Sequence, residues 1–202
     1  IYLIEGNVTI NGGTFDIVQL SDFSDKRYMV NCLDDSYRTG SAVVAINGGS
    51  FVGFNPVSNL AEGQNTNFVA NGNFVVEENG VCRVNPLEVF EHVVSQLSDG
   101  AVVTLMGDVD LTNTIKITEE VTIDLNGFKL YNTTDIWNTA NKDWSLISVR
   151  GGDLTIKNGT LEAKANDCHA IDVKSGSLTI ESGRYLGNIS AIYVLEGNVT
   201  IN

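Results

Sequence analysis

Apolar and polar residues alternate along this chain in short bursts that recur from one end to the other. The fullest copy is Gly176-Ser-Leu-Thr-Ile-Glu-Ser-Gly183-Arg-Tyr185. Gly6-Asn-Val-Thr-Ile-Asn-Gly-Gly13-Thr-Phe15, Ala42-Val-Val-Ala-Ile-Asn-Gly-Gly49-Ser-Phe51, Gly152-Asp-Leu-Thr-Ile-Lys-Asn-Gly159-Thr-Leu161 and Gly197-Asn-Val-Thr-Ile-Asn202 follow its pattern. Each reads as a turn, an apolar-Thr-apolar strand, a second turn closed by Gly, and the start of another strand. Glycine supplies the positive φ such corners need, and β-branched residues suit a pleated, half-buried surface. Gly152 to Gly176 spans 24 residues and Gly176 to Gly197 spans 21, a stacked-repeat period.

A second alternating element precedes the motif: Ser145-Leu-Ile-Ser-Val149, Ala170-Ile-Asp-Val173 and Ala191-Ile-Tyr-Val194. A repeat of two or three short strands cannot bury its apolar face alone and must stack on the next. The expectation is an all-β, single-stranded, right-handed parallel β-helix, a solenoid with Ile, Val and Leu ladders inside. Its handedness follows from the chirality of parallel connections. Ile10, Ile46, Ile156, Ile180 and Ile201 are expected at equivalent inward positions.

In chain order, residues 1–20 read as one coil, 21–30 interrupt the period, and a second coil follows at 41–54. Phe74 to Val84 reads as a hairpin across Asn79-Gly80, a strong two-residue turn signal. Residues 53–85 are accordingly expected to form a C-terminal cap. Phe90, Val93, Val94 and Leu97 share one helical face between Pro86 and Gly100, which predicts a short capping helix over 86–98. Strands at 101–105, 108–112, 115–117 and 121–125 then open a fresh set of coils. The expected division is 1–85, the C-terminal coils and cap, and 86–202, a cap helix with N-terminal coils.

Residues 192–202 match residues 1–11 at nine of eleven positions, differing only at Leu3/Val194 and Ile4/Leu195. The offset, 192 − 1 = 191 residues, is the expected length of one repeat unit. Tandem copies, a permuted order or head-to-tail assembly would each produce it, and end-to-end self-association is one expectation. Ile1 falls inside a repeat, and the expectation is of an excised or processed piece.

The net charge of −13 repels nucleic-acid backbones and anionic membrane surfaces. No apolar run approaches the roughly 18 residues of a bilayer span. Twenty glycines, two prolines and 43% hydrophobic residues fit a turn-rich all-β protein. Cys32, Cys82 and Cys168 show no metal spacing and read as small buried residues.

The run Val102-Thr-Leu-Met-Gly-Asp-Val-Asp-Leu-Thr followed by Val121-Thr-Ile-Asp-Leu-Asn-Gly127 resembles the opening coils of right-handed parallel β-helix proteins of gut bacteria and their phages. Ser24 to Tyr28, Asn31 to Asp34, Asn47 to Phe51, Phe54 to Pro56, Ala61 to Gly63 and Thr66 to Ala70 resemble a terminal region of phage virion and surface proteins. The resemblance implies a structural fibre or surface module, extracellular on a virion or bacterial cell, that spaces or presents a binding surface. A carbohydrate-binding adhesin and a polysaccharide-degrading tailspike-type enzyme are its alternatives.

Candidate chemistry is sparse. Neighbouring carboxylates in Asp34/Asp35 and Glu119/Glu120 point to opposite faces of a strand, and Asp108/Asp110 lie in a turn-rich stretch. None presents the convergent pair that glycoside hydrolysis needs. Asp153 and Asp172 with Arg150 or Lys174 are the nearest approach to a lyase site, and Cys168-His169 to a nucleophile and base. Solvated or turn-capping roles are favoured for the acids, and no catalytic residue, metal site or cofactor is expected. Tyr131, Trp137 and Trp144 fall in one polar insertion, where aromatic rings flanked by Asn and Asp suit stacking against sugar rings. They are the candidate carbohydrate-binding residues, with surface polysaccharide as partner; the opposing reading has the indoles covering the flank of the fold.

Overall fold

The structure is a computed structural model that describes residues 1–17, 28–164 and 168–202. Most of the interruption expected at 21–30 lies outside the described residues. The chain divides into two compact units, Ile1–Pro86 and Leu87–Asn202.

In the first unit, β1 (Tyr2–Leu3) pairs in parallel with β3 (Asn31–Cys32), and β2 (Gly6–Phe15) with β4 (Ala42–Val52). Between β3 and β4, Asp34–Thr39 form the short helix α1, ended by Gly40 in the left-handed region. The β2–β4 register places Val8 beside Val44, Ile10 beside Ile46 and Phe15 beside Phe51. The two phenyl rings stack at 5.1 Å. β5 (Asn73–Glu78) and β6 (Val81–Pro86) form the expected hairpin, with Asn79 at φ 50° and Gly80 at φ 75°. Two successive positive φ angles match the right-handed twist of the strands they join. Ile46, Phe51, Phe74 and Val76 are fully enclosed in this unit's core.

The second unit opens with a 3₁₀ turn at Leu87–Val89 and helix α2 (Phe90–Val94), shorter than the helix expected over 86–98. Phe90, Val94 and Leu97 are buried as the 3.6-residue period requires, while Val93 is half-buried. One parallel sheet then runs β7 (Ala101–Leu105), β10 (Glu120–Asp124), β12 (Ser145–Lys157) and β14 (His169–Ile180). β9 (Ile115–Ile117) pairs with the first half of β12, and β16 (Ile192–Val194) and β17 (Asn198–Ile201) pair with β14. A second parallel sheet is formed by β8 (Val109–Asp110), β11 (Lys129–Tyr131), β13 (Thr160–Glu162) and β15 (Arg184–Leu186).

Like residues stack on like across the first of these sheets. Ile123 pairs with Ile156, Ile156 with Ile180, and Ile180 with Ile201. The first three are buried, each contributing about 1.5–3 kcal/mol of apolar transfer, whereas Ile201 is exposed. Polar residues form a parallel ladder on the outside: Asn158 Nδ2 donates to Asp124 at 3.1 Å, and Ser182 Oγ donates to Asn158 Oδ1 at 3.0 Å. At Gly176, with φ +88°, an added Cβ would press into the Gly152 carbonyl oxygen, so this corner requires glycine on both counts.

The single-stranded, right-handed parallel β-helix solenoid expected from the repeats is not what the chain forms. Its strands are shared among several sheets, and pairing is mixed: β6 runs antiparallel to both β4 and β5. The Asn79-Gly80 turn reverses the chain within two residues, and a two-residue connection joins only antiparallel neighbours. The hairpin is therefore not a cap hairpin over the end of a solenoid. It is a paired part of the β2–β4 sheet, with Phe51 beside Cys82. Period-two alternation is common to parallel and antiparallel strands, which is why it predicted strands here but not their sense.

Candidate functional site

Residues 132–144 leave the ladder between β11 and β12 and fold into a compact loop. Asn138 and Asp143 exchange backbone hydrogen bonds at 2.8 and 2.9 Å, and Lys142 takes a left-handed conformation between them. Charge ties the loop to the strands. Asp143 is paired with Arg150 of β12 and, at 3.2 Å, with Lys116 of β9. Arg150 also donates to the Lys142 carbonyl at 3.2 Å, and Lys174 of β14 donates to the same carbonyl.

The structure brings Trp137 and Trp144 together. Their rings stack at 5.8 Å with 26° between planes, and Tyr193 meets Trp144 edge-on at 6.5 Å. Tyr193 in turn stacks on His169 at 4.9 Å. Lys174 Nζ lies 4.6 Å from the Trp144 ring centre, a cation–π contact. Trp144 is thus engaged on several sides, and its buried Nε1 has no hydrogen-bond acceptor. Trp137 is half-buried and borders a polar cleft of about 220 Å³ with Thr112, Asn113, Asn138, Asn141 and Asp143. Tyr131 stands apart on β11, where Lys129 Nζ lies 4.9 Å from its ring centre. Of the three aromatic candidates, then, two meet and one of those faces the cleft.

Asp172 is fully buried on β14. Lys174 Nζ lies 3.3 Å from its Oδ2, near enough for an ion pair, yet neither carboxylate oxygen has an aligned hydrogen-bond donor among the described residues. Removing a carboxylate from water costs several kcal/mol, which the neighbouring ammonium offsets only in part. Asp153 lies elsewhere and accepts a hydrogen bond from Ser177. The remaining acids brace turns or sit exposed: Asp108 accepts from the Lys129 amide at 3.0 Å, Asp110 from the Thr133 amide at 2.9 Å, and Asp35 pairs with Arg38.

Cys168 and His169 do not form a nucleophile–base pair. Burial pushes the Cys168 thiol up to about 12, and its sulfur donates to the His169 carbonyl at 3.3 Å. His169 Nδ1 instead lies 2.8 Å from Ser190 Oγ, which donates to the Ile192 carbonyl at 3.2 Å. With the hydroxyl hydrogen committed to Ile192, Nδ1 must be the donor to Ser190, so the pair braces the turn before β16. Burial lowers the His169 pKa, more than the nearby Asp172 charge raises it.

Sequence reasoning missed Asn113 as a neighbour of Trp137, Lys116 and Arg150 as the partners of Asp143, and Ser190 as the partner of His169. The signal for the last was present, since Ser190 follows His169 by 21 residues, one repeat length. Among the described residues, no group of three or more His, Cys, Asp or Glu is placed to hold a metal ion, and no helix is long and apolar enough to cross a membrane. No family model matches the chain, and no curated protein or solved structure shows significant similarity to it.

Proposed function

We propose that this protein is a non-catalytic module displayed on a virion or bacterial cell surface, whose all-β body presents the 132–144 loop to surface polysaccharide. The observation that carries this reading is the cleft beside Trp137. An indole edge with the amides of Asn113, Asn138 and Asn141 and the Thr112 hydroxyl around it combines a stacking surface with hydrogen-bonding groups matched to sugar hydroxyls. Trp144 serves as the support: held by Trp137, Tyr193 and Lys174, it fixes the orientation of the half-buried Trp137 ring. The ion pairs of Asp143 hold the loop in place before any ligand arrives, which limits the ordering cost of binding.

The test is a glycan array read with the intact protein and with Trp137→Ala. Binding that is lost in the variant, with melting unchanged, supports the reading. Binding that survives Trp137→Ala would refute the assignment of the cleft, and release of reducing ends or unsaturated sugars from a bound polysaccharide would refute the non-catalytic role.

A further inference from the structure

A second cleft, of about 410 Å³, lies on the other side of the 112–114 turn, between that turn and helix α2. Glu91, His92 and Ser95 form its helical wall and Lys116 its sheet wall. Asn113 and Thr114 line both this cleft and the one beside Trp137. The Lys116–Asp143 ion pair also bridges them, with Lys116 in one lining and Asp143 in the other. The two depressions therefore adjoin, with Asn113 and Thr114 of the turn standing between them.

That turn is fixed in advance. Glu91 reaches from α2 to the turn and accepts hydrogen bonds from the Thr112 amide and hydroxyl, from the Asn113 amide at 3.1 Å and from Asn113 Nδ2 at 2.9 Å. Thr114 Oγ1 donates to the Ser145 carbonyl at 2.7 Å, fastening the turn to β12. The cationic groups at hand, Lys116 and Arg150, share the one carboxylate of Asp143. Glu91 and Asp135 line the clefts as well, so three carboxylates stand against these two cations.

We infer that the two clefts act together as one groove for a neutral oligosaccharide chain, with one ring on Trp137 and later rings crossing Asn113 and Thr114 toward His92. This rests on the saccharide reading above and extends it to ligand length and charge. The smaller cleft alone is below the roughly 300–1,000 Å³ of ordinary small-molecule sites, whereas the joined groove falls within that range. A polyanionic glycan meets more carboxylates than cations there and a chain of net charge −13, so charge works against it.

Calorimetric titration of the intact protein with cello-, xylo- and manno-oligosaccharides of one to six rings, and with oligogalacturonides of the same lengths, tests this. At least one neutral series should gain tenfold or more in affinity from one ring to six. Ser95→Trp, which fills the far cleft from an exposed position, should return the six-ring ligand to short-ligand affinity while leaving short ligands unaffected. Trp137→Ala should weaken all lengths. Affinity that does not grow with length, or that ignores Ser95→Trp, would overturn the groove while leaving the Trp137 contact standing. Preference for oligogalacturonides would overturn the neutral class, and no binding to any series would count against both the groove and the saccharide reading.

Discussion

Arg150 and Asp143 close the tryptophan loop onto strand β12: the guanidinium binds the carboxylate while also donating to the Lys142 carbonyl beside it. Asp143 is buried and shared with Lys116, so its loss leaves two cations without their counter-charge. Asp143→Ala is expected to cost about 2 kcal/mol and to release the loop. Faster hydrogen exchange at the Asn138 and Asp143 amides and red-shifted tryptophan emission would register it. Unchanged exchange would mean that the aromatic stack alone holds the loop.

Ile156 is fully buried between Ile123 and Ile180, whereas its neighbour Thr155 points to the half-exposed face. Ile156→Ala should lose about 2–5 kcal/mol in urea unfolding. Thr155→Ala should change stability by no more than about 0.5 kcal/mol. Equal losses at the two positions would contradict the register.

Gly176 and Gly127 both hold positive φ, but only Gly176 lies against a neighbouring backbone; the space around Gly127 is open. Either change to Ala incurs about 1–2 kcal/mol of left-handed strain. Gly176→Ala adds the displacement of the Gly152 peptide, an overpacking cost of about 1–3 kcal/mol. The expected order of melting temperature is wild type, Gly127→Ala, Gly176→Ala.

Burial lowers the folded pKa of His169 below its ordinary value near 6.5. Between the lowered value and 6.5 the unfolded chain binds the proton more readily, so stability falls as pH drops through that window and is fully present above it. His169→Gln should flatten this segment of a melting-temperature profile relative to wild type, leaving the carboxylate-dependent losses at lower pH. Parallel profiles for the two proteins from pH 7 to 5 would disprove the contribution of His169.

The three cysteines are buried and unpaired, with thiols pushed up to about 11 at Cys32 and about 12 at Cys82 and Cys168, mainly by burial. Thiolate is the reactive species. A thiol-reactive dye at pH 8 should therefore label native protein slowly and urea-unfolded protein fully. Rapid native labelling would show that a cysteine reaches solvent.

Strand positions were legible because the apolar-Thr-apolar bursts state which side chains need burial, and the Asn79-Gly80 hairpin because its turn chemistry is local. How strands were distributed among sheets was not. Whether β6 joins β4 in antiparallel sense depends on contacts between Phe51 and Cys82, 31 positions apart, and alternation carries no such information. The candidate site divides in the same way. Aromatic clustering in residues 131–144 pointed to Trp137 and Trp144, and the geometry separates Tyr131 from them. The partners that orient the pair, Lys174 and Tyr193, arrive from strands one and two repeats downstream. The groove wall at Glu91 comes from a helix whose charged face resembled any solvated surface.

Register survives the tryptophan insertion intact. Val121 pairs with Leu154, 33 residues on, as regularly as Leu154 pairs with Leu178, 24 residues on. The extra residues leave and rejoin at the same corner, and lengthening such a connection costs only about 0.6 kcal/mol per doubling. Strand pairing is thereby independent of the length of this connection. Residues can be added or removed between Tyr131 and Asn138, ahead of the anchor at Asp143, while every strand beneath keeps its neighbours.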